Sequence, residues 1–288
     1  MLKYLTVIII LLSALFCEAQ QKFDAFQLYG PYGSTIYPTY YGALKNHTEA
    51  YKIKSHDEDL NKGFKKLKKL QKLYVFELHN NNIDSFPEII GSFKNLMYLS
   101  SSQNPLKKLP ESFGRLKALK ILKLHYTSID SFPNNFSSLI QLQILEIQSN
   151  NADTFFTKNS LKGLYNLKDL TIFKCNLKEF PLGMGKNKKL KNVVIVDCNI
   201  EKIDAEFYNN KGVSTLILDK NKIKEFPLEL MKLEALRELS LRDNKIKHLP
   251  EEVAKLNGLE VLDLRGNPIS KYEINIIKIL LPKCKVIH

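Results

Sequence analysis

The chain has 288 residues, of which 44% are hydrophobic and 25% are charged, and its formal net charge is +13. This is the composition of a folded globular protein with enough apolar residues for a continuous core. Three cysteines follow residue 19, Cys175, Cys198 and Cys284, and an odd number excludes a closed disulfide framework.

Residues 1–19 have the pattern of a secretory signal peptide. Lys3 precedes an apolar run over residues 5–16, and Cys17-Glu18-Ala19 forms a small-x-small cleavage site. The run of about 12 residues is short for a membrane-spanning helix, which needs ~20, so a membrane anchor is the weaker alternative. A lipoprotein acylated at Cys17 is a further alternative, which the large Phe16 disfavours. We expect cleavage after Ala19 and export to the periplasm, the cell surface or the medium.

Residues 20–49 form an aromatic N-terminal segment. They contain five tyrosines together with Pro31, Pro38 and two glycine-bearing turns. We expect irregular structure up to Pro38 and a short helix from about Tyr40 to Asn46. Because a solenoid needs a cap over its first coil, the segment is predicted to be an N-terminal cap. An extended aromatic segment that binds a partner is the functional alternative.

Residues 50–269 repeat one apolar pattern ten times. Apolar residues predominate at positions 1, 4, 6 and 11 of the repeats, and the first repeat, which begins at Ala50, is degenerate. Position 1 recurs at Leu73, Leu96, Leu119, Leu142, Leu167, Leu190, Val213, Leu236 and Leu259, every 23 residues except for one interval of 25. A constant period of this length predicts a solenoid that forms a single domain.

The pattern predicts one short strand per repeat. Positions 3 to 7 alternate outward residues with inward apolar residues at 4 and 6. Successive strands then add to one parallel sheet at ~4.8 Å, so ten coils span roughly 45 Å. Position 9 turns the chain away from the strand, where an asparagine side chain satisfies unpaired backbone groups.

Two cysteines occupy position 9, which is asparagine in most repeats. Cys175 and Cys198 are predicted to be buried thiols in place of asparagine, with Thr127 as a third substitute. A disulfide between them is the alternative, because neighbouring coils bring them within bridging distance. A metal site is disfavoured, since no histidine accompanies them in the repeat register.

The return segment carries Phe-Pro or Leu-Pro, which predicts short helices or 3₁₀ turns on the convex side. Two repeats depart from the pattern. The repeat over residues 142–166 is two residues longer than the others. It also has Ala152 at position 11 and Phe155-Phe156 in place of Leu-Pro, and together these departures predict a bulge. Ser101 at inward position 6 predicts a local weak point. Residues 270–288 predict a helix ended by Pro282 and a last strand, so we expect a C-terminal cap with no further domain.

The repeats Val213–Ala235 and Leu236–Gly258 resemble the leucine-rich repeat in its LxxLxLxxNxLxxLPxxLxxLxx form. The Pro-containing return is similar to that of the Ras-suppressor and plant Ras-group class, and the composition and both caps resemble exported proteins of Bacteroidetes-type bacteria. The resemblance implies an α/β solenoid, a horseshoe with a parallel concave β-sheet and short helices or 3₁₀ turns on its convex side. It also implies binding through the concave face.

No motif for catalysis or cofactor binding is present. The sequence lacks a GxSxG elbow, an HExxH zinc motif, a Walker loop and a dinucleotide fingerprint. Gly183-Met184-Gly185-Lys186 lacks the strand-loop-helix context of a phosphate site and is predicted to be a loop. We therefore expect a non-enzymatic protein without a cofactor or a bound metal.

The outward strand residues are the candidate site. An aromatic and aliphatic middle bordered by histidines and charges suits a protein or peptide partner, although β-branched residues also simply favour strands. The candidate ligand-binding residues are His79, Tyr98, His125, Tyr126, Phe173, Val196, Arg242 and Arg265. His56 and His79 are adjacent in this face and form a weaker candidate for a metal or a pH-sensitive pair.

Most of the positive charge lies away from the outward strand positions. Runs such as Lys186, Lys188, Lys189 and Lys191 fall on the returns. A solvated face is the simplest interpretation, and a basic convex face that binds an anionic glycan or lipid surface is the alternative. Nucleic acid is disfavoured because lysine far outnumbers arginine. We expect a monomeric, exported protein-binding module, with an adhesin and an intracellular Ras-group-like scaffold as alternatives.

Overall fold

The computed structural model describes residues 34–60, 64–129, 131–149, 161–177, 180 and 183–288. The predicted signal peptide with Cys17, most of the aromatic N-terminal segment, and the predicted bulge at Ala152 and Phe155-Phe156 lie outside these residues. In the described part of the chain, no helix is long and apolar enough to cross a membrane.

The described residues form a single twelve-stranded parallel sheet in which each strand pairs with the next one along the chain. The strands are β1 Ile36–Tyr37, β2 Lys52–His56, β3 Val75–His79, β4 Tyr98–Ser102, β5 Ile121–Thr127, β6 Ile144–Ser149, β7 Asp169–Phe173, β8 Asn192–Val196, β9 Thr215–Ile217, β10 Glu238–Ser240, β11 Val261–Asp263 and β12 Lys285–Ile287. Strands β2 to β11 each begin at position 3 of a repeat. The predicted parallel solenoid is confirmed.

Short 3₁₀ helices connect the strands on the convex side. They span Phe64–Lys69, Glu88–Ser92, Glu111–Arg115, Phe136–Ser138, Ala205–Asn209, Leu228–Lys232 and Glu251–Lys255. Pro87, Pro110, Pro227 and Pro250 each stand immediately before one of them. Proline fixes φ near the helical value and lacks the N–H that the first turn would leave unpaired, which explains its place there.

An α-helix and a strand close each end of the sheet. Helix α1 spans Tyr40–Lys45 and is capped by the Thr39 hydroxyl, which accepts from the Gly42 N–H. Helix α2 spans Lys271–Leu280, and Ser270 with Glu273 forms a capping box at its start. Strands β1 and β12 extend the sheet by one strand at each end.

The core is one continuous apolar column between the sheet and the convex returns. Position-1 and position-4 residues such as Leu96 and Leu99 are completely buried, and a row of phenylalanines from the returns packs against them, including Phe93, Phe113 and Phe136. Because each coil buries its apolar residues against the next, the coils stabilise one another.

Side chains at position 9 form a polar ladder inside this core. Asn104 accepts from the Asn81 N–H at 2.8 Å and donates to the Leu78 carbonyl at 3.1 Å. Asn104 also donates to the Ser101 hydroxyl at 3.1 Å. The hydroxyl of Ser101 is therefore paired, although the sequence had predicted a weak point there.

The two position-9 cysteines take part in the same ladder as thiols. Both are buried and unbridged. The Cys198 thiol donates to the Val196 carbonyl at 3.2 Å, and the Cys175 N–H donates to the Cys198 sulfur at 3.5 Å. Burial strongly raises the pKa of the Cys198 thiol, with Cys175 contributing further. The two thiols replace asparagine with weaker hydrogen bonds.

Candidate functional site

The concave face of strands β3 to β8 presents one unbroken row of outward side chains. Position 7 runs in register from His79 through Ser102, His125 and Gln148 to Phe173 and Val196. Each residue of the row lies beside its equivalent in the next coil, about 4.8 Å away. The predicted residues His79, His125, Phe173 and Val196 are thereby brought onto one face.

Tyr126, at position 8 of its repeat, lies outside this row. A bulge between His125 and Thr127 interrupts the pairing of β5 with β6, and Tyr126 itself has a φ of 53°. Its side chain is 43% exposed and lines a depression of about 400 Å³ with Gln103 and Pro105. Tyr126 therefore lies on the edge of the sheet where the strands end, rather than on the concave face itself.

The apolar middle of the concave face is split into two clusters. Tyr98 packs against Ile121 and Ile144 on strands β4 to β6. Phe173 and Ile217 pack against Val194 and Val196 on strands β7 to β9. The rings of Tyr98 and Phe173 are half-buried, so part of each remains accessible.

The buried aliphatic members of both clusters lie beneath the rings of Tyr98 and Phe173. Ile121 is 0% exposed and Val196 only 6%. Neighbouring strands are close enough for side chains on one face to cover one another. Val196 therefore supports Phe173 and offers almost no surface of its own, contrary to the exposed patch expected from the sequence.

A buried carboxylate lies between the two clusters. Glu146 on β6 is 5% exposed, and its two oxygens lie 3.0 Å from Lys123 Nζ and 3.1 Å from His125 Nε2. Burial alone would raise the pKa of the Glu146 carboxyl, but the hydrogen bond from His125 and the charge of Lys123 outweigh it and lower the pKa. His125 is thus anchored by Glu146 in one orientation.

The predicted basic end of the face is neutralised by acids. Arg242 lies 3.1 Å from Asp243, and Arg265 forms a two-pronged ion pair with Asp263. Both arginines lie two residues beyond the ends of the short strands β10 and β11. They are on the predicted face, with their guanidinium groups already paired.

Asp219 is another buried carboxylate of the concave face. It accepts hydrogen bonds from the Ser240 hydroxyl and from the Arg242 N–H, the latter at 3.1 Å. Burial raises the pKa of the Asp219 carboxyl to about 6, and the nearby charge of Asp263 adds to the shift, while the two hydrogen bonds oppose it. This end of the face therefore changes its charge under mildly acidic conditions.

The histidine pair at the start of the face has no third metal ligand among the described residues. The His56 and His79 rings lie 5.5 Å apart and are tilted by 51°. In the described part of the chain, no group of three His, Cys, Asp or Glu residues could hold a metal ion. A site with two ligands falls short of the three or four that protein metal sites use.

Sequence reasoning missed Glu146, Lys123 and Asp219 as organising residues. A signal for the first pair was present, because Lys123 and Glu146 stand opposite each other in adjacent repeats. The same arrangement occurs at Lys54 and Glu77, which lie 2.9 Å apart. Charges of opposite sign one period apart at an outward position predict such cross-strand ion pairs.

The comparisons with known proteins identify the repeat. A family model described as "Leucine-rich repeat region" matches residues 52–214, and a second, described as "Leucine rich repeat", matches residues 188–246 and 211–269. A search of curated proteins found no match.

Several solved structures have similar folds. An internalin from Listeria monocytogenes is 17% identical, with 82% of this chain and 71% of that chain covered and a TM-score of 0.61. The functional domain of InlJ from Listeria monocytogenes, which includes a cysteine ladder, is 18% identical, with 85% and 50% covered and a TM-score of 0.61.

A plant peptide hormone receptor, RGFR1 in complex with RGF2, is 22% identical, with 75% of this chain covered and a TM-score of 0.61. The match spans only 35% of that receptor chain. At sequence identities this low, the solved structures show only that the fold is shared. The family models, in contrast, match the sequences of the repeats themselves. The chain belongs to the leucine-rich repeat family.

Proposed function

We propose that this chain is a non-enzymatic binding protein that holds a protein or peptide partner against strands β4 to β8. Leucine-rich repeat proteins are commonly protein-binding scaffolds, and one solenoid of similar fold is a receptor in complex with a peptide hormone. The observation that carries the proposal is the pair of half-buried aromatic residues, Tyr98 and Phe173, on either side of the buried Glu146.

The two aromatic residues have the properties of anchoring positions in an interface. Each ring lies on an apolar base, formed by Ile121 and Ile144 under Tyr98 and by Val194 and Val196 under Phe173. An aromatic side chain that is held in place loses little conformational entropy when a partner covers it. Such preorganised aromatic residues dominate binding energy in many interfaces.

Between the two aromatic residues, polar groups are available to orient the partner. His125 is fixed by Glu146 at 3.1 Å, and Gln148 lies beside it in the same row. A peptide backbone across this face would meet fixed polar groups flanked by apolar ones. That combination suits a peptide with two apolar side chains roughly 20 Å apart, because β4 and β7 are three strand spacings apart and Phe173 lies four residues further along the strand than Tyr98 does.

A peptide selection tests the proposed face. The purified full chain is used to select binders from a random peptide library, and their affinities are measured by titration calorimetry. In the variant Tyr98→Ala/Phe173→Ala, affinity should fall by about tenfold or more, as expected for the loss of anchoring residues. The control Tyr165→Ala/Tyr272→Ala removes two exposed tyrosines elsewhere and should bind normally. Binders that respond only to the control would place the interface elsewhere.

We propose in addition that the protein acts after export. The support is the pattern of residues 1–19, with Lys3, the apolar run and the small-x-small site ending at Ala19. Mass spectrometry of the protein isolated from its natural cell would then give a chain that begins at Gln20. An intact mass that includes Met1 would contradict export by cleavage, and a diacylglycerol at Cys17 would indicate a lipoprotein.

A further inference from the structure

A basic surface runs along the edge of the sheet at which the strands begin. It is made of the residues that flank position 1 in six consecutive repeats, namely the two residues before it and the one after it. These are residues 94, 95, 97, 117, 118, 120, 140, 141, 143, 165, 166, 168, 188, 189, 191, 211, 212 and 214. We refer to this set as the lysine edge.

The lysine edge has eight lysines and no acidic residue. The lysines are Lys94, Lys117, Lys120, Lys168, Lys188, Lys189, Lys191 and Lys211. If charged residues were placed at random, this edge would carry both basic and acidic residues, as the rest of the surface does. Acids return at both ends, where Glu49 lies 3.8 Å from Lys72 and Glu234 pairs with Lys211 at 2.5 Å. The positive surface is therefore bounded along the solenoid.

The backbone holds these residues in straight rows. The residue after position 1 donates its N–H to the equivalent carbonyl of the previous coil, for example Lys120 to Met97 at 2.8 Å and Lys191 to Lys168 at 2.8 Å. The rows are thus spaced at the strand repeat of about 4.8 Å, and six coils give a length of roughly 25 Å.

Two apolar side chains lie in the centre of the lysine edge. Ile140 is 48% exposed and Tyr165 is 50% exposed, and they occupy equivalent places in adjacent coils. Asn166 ties this region together, because its amide donates to the Ile140 carbonyl at 2.7 Å and accepts from Lys189 at 2.6 Å. The centre of the lysine edge is therefore a partly exposed apolar surface, held in place by these hydrogen bonds and flanked by lysines on both sides.

This arrangement favours an elongated polyanion over other partners. Lys117 and Lys189 donate to the neutral oxygens of Ser138 and Asn166, so neither charge is cancelled by that contact. The exposed half of the Tyr165 ring can stack against the C–H face of a sugar ring. Lysine ammonium groups bind carboxylates and sulfates as point charges.

We propose that the lysine edge binds a linear anionic polysaccharide, which runs across the coils with its carboxylate or sulfate groups on the lysines and a sugar ring on Tyr165. This site lies on the edge of the sheet and is separate from the concave face proposed for a protein partner. Three of its lysines, Lys188, Lys189 and Lys191, were expected on a basic convex face and lie on this edge instead. On the convex side, 3₁₀ helices begin with acids such as Glu88, Glu111 and Glu251.

The first test uses alginate, a linear polyuronate, and titration calorimetry with the full chain. The variant Lys94→Gln/Lys188→Gln/Lys191→Gln should bind alginate roughly tenfold more weakly or worse, since each exposed ammonium contributes a modest attraction and three are removed. The control Lys222→Gln/Lys245→Gln/Lys247→Gln removes the same charge from exposed residues that follow position 9 and should retain binding. Equal losses in both variants would overturn the proposal, because net charge alone would then explain the binding.

The second test concerns the apolar surface of the lysine edge and the alternative ligand. Tyr165→Ala should weaken alginate binding about threefold or more, whereas Tyr272→Ala, at a 75% exposed tyrosine on α2, should not. Thermal unfolding checks that every variant is folded. No binding to alginate or heparin at low salt overturns the proposal, as does binding only to phosphatidylglycerol vesicles. Because the peptide experiment uses other residues, either proposal can fail without the other.

Discussion

The side chain of Asn221 accepts a hydrogen bond from the backbone N–H of Cys198, 23 residues earlier, at 3.1 Å. The same amide donates to the carbonyls of Ile195, Leu218 and Asp219 at 2.8, 2.9 and 3.1 Å. One buried side chain thus satisfies backbone groups of two coils, in a place that water does not reach. This contact explains why position 9 tolerates so few residue types.

We predict that Asn221→Ala destabilises the protein by about 2–4 kcal/mol, because several buried backbone groups lose their partners at once. Cys198→Ala should cost only about 1 kcal/mol, since a thiol is a weak donor. The free energy of unfolding from urea denaturation measures both. If the two substitutions cost the same, the ladder of position 9 would not be the source of this stability.

The features that the sequence predicts well are those that the 23-residue period determines. The period places position 3 at the start of every strand from Lys52 to Val261 and inward leucines in the core, because stacked coils have one way to bury them. It predicts the thiols of Cys175 and Cys198 inside the ladder for the same reason. These features follow from backbone register alone.

The candidate site was harder to predict, because the repeat pattern does not determine which residue types occupy the outward positions. Glu146 and Asp219 are outward residues, yet both are buried by side chains from the adjacent strands. Arg242 and Arg265 were expected to offer charge and instead face Asp243 and Asp263. The burial of the two carboxylates depends on neighbours one coil away, and the arginine pairs, each within one coil, depend on side-chain rotamers that the repeat pattern does not specify.

We predict that stability falls as the pH rises through the range in which Asp219 titrates. Its folded-state pKa of about 6 lies above the ordinary value of 3.8, so the folded protein binds the proton more tightly than the unfolded chain. The protonated form therefore adds stability that is complete below about pH 4 and is lost as the pH rises to about 6 and above.

Asp219→Asn removes this titration while it keeps an oxygen for Ser240 and Arg242. The variant should show a flatter profile between about pH 4 and 7 and should gain about 1–3 kcal/mol at pH 7. Urea denaturation at several pH values is the measurement, with Asp197→Asn, at an exposed carboxylate, as the control. An unchanged slope in Asp219→Asn would show that another group causes the dependence.

Glu146 should have the opposite dependence on pH. Its folded-state pKa is lowered, so its contribution to stability is complete above its unfolded-state pKa and is lost as the pH falls through the folded-state pKa. Glu146→Gln should destabilise the protein by about 2–4 kcal/mol at pH 7, because Lys123, whose side chain is 13% exposed, then lacks a buried counter-charge.

The double variant Lys123→Met/Glu146→Leu separates the pair from its parts. Replacing both charges with apolar groups should recover most of the loss, since a buried ion pair stabilises little compared with apolar packing. The recovery would be measured by urea denaturation beside the single variant. A double variant that is no more stable than Glu146→Gln would mean that the carboxylate has a structural role beyond its pairing with Lys123.

Gly91 marks a close approach between neighbouring coils on the convex side. A Cβ at this position would lie 2.3 Å from the Ser112 carbonyl oxygen and 2.6 Å from the Ser112 Cβ. Since both are held by the adjacent 3₁₀ helix Glu111–Arg115, Gly91→Ala should force the coils apart and destabilise the protein by about 2–3 kcal/mol. Gly212→Ala is the comparison, because its nearest backbone oxygens, those of Leu190 and Lys188, lie 3.3 and 3.4 Å away and need to move much less, and it should cost about 1 kcal/mol or less. Comparable unfolding midpoints for the two variants would show that the coils have room to separate, and that the stacking distance is not fixed at this contact.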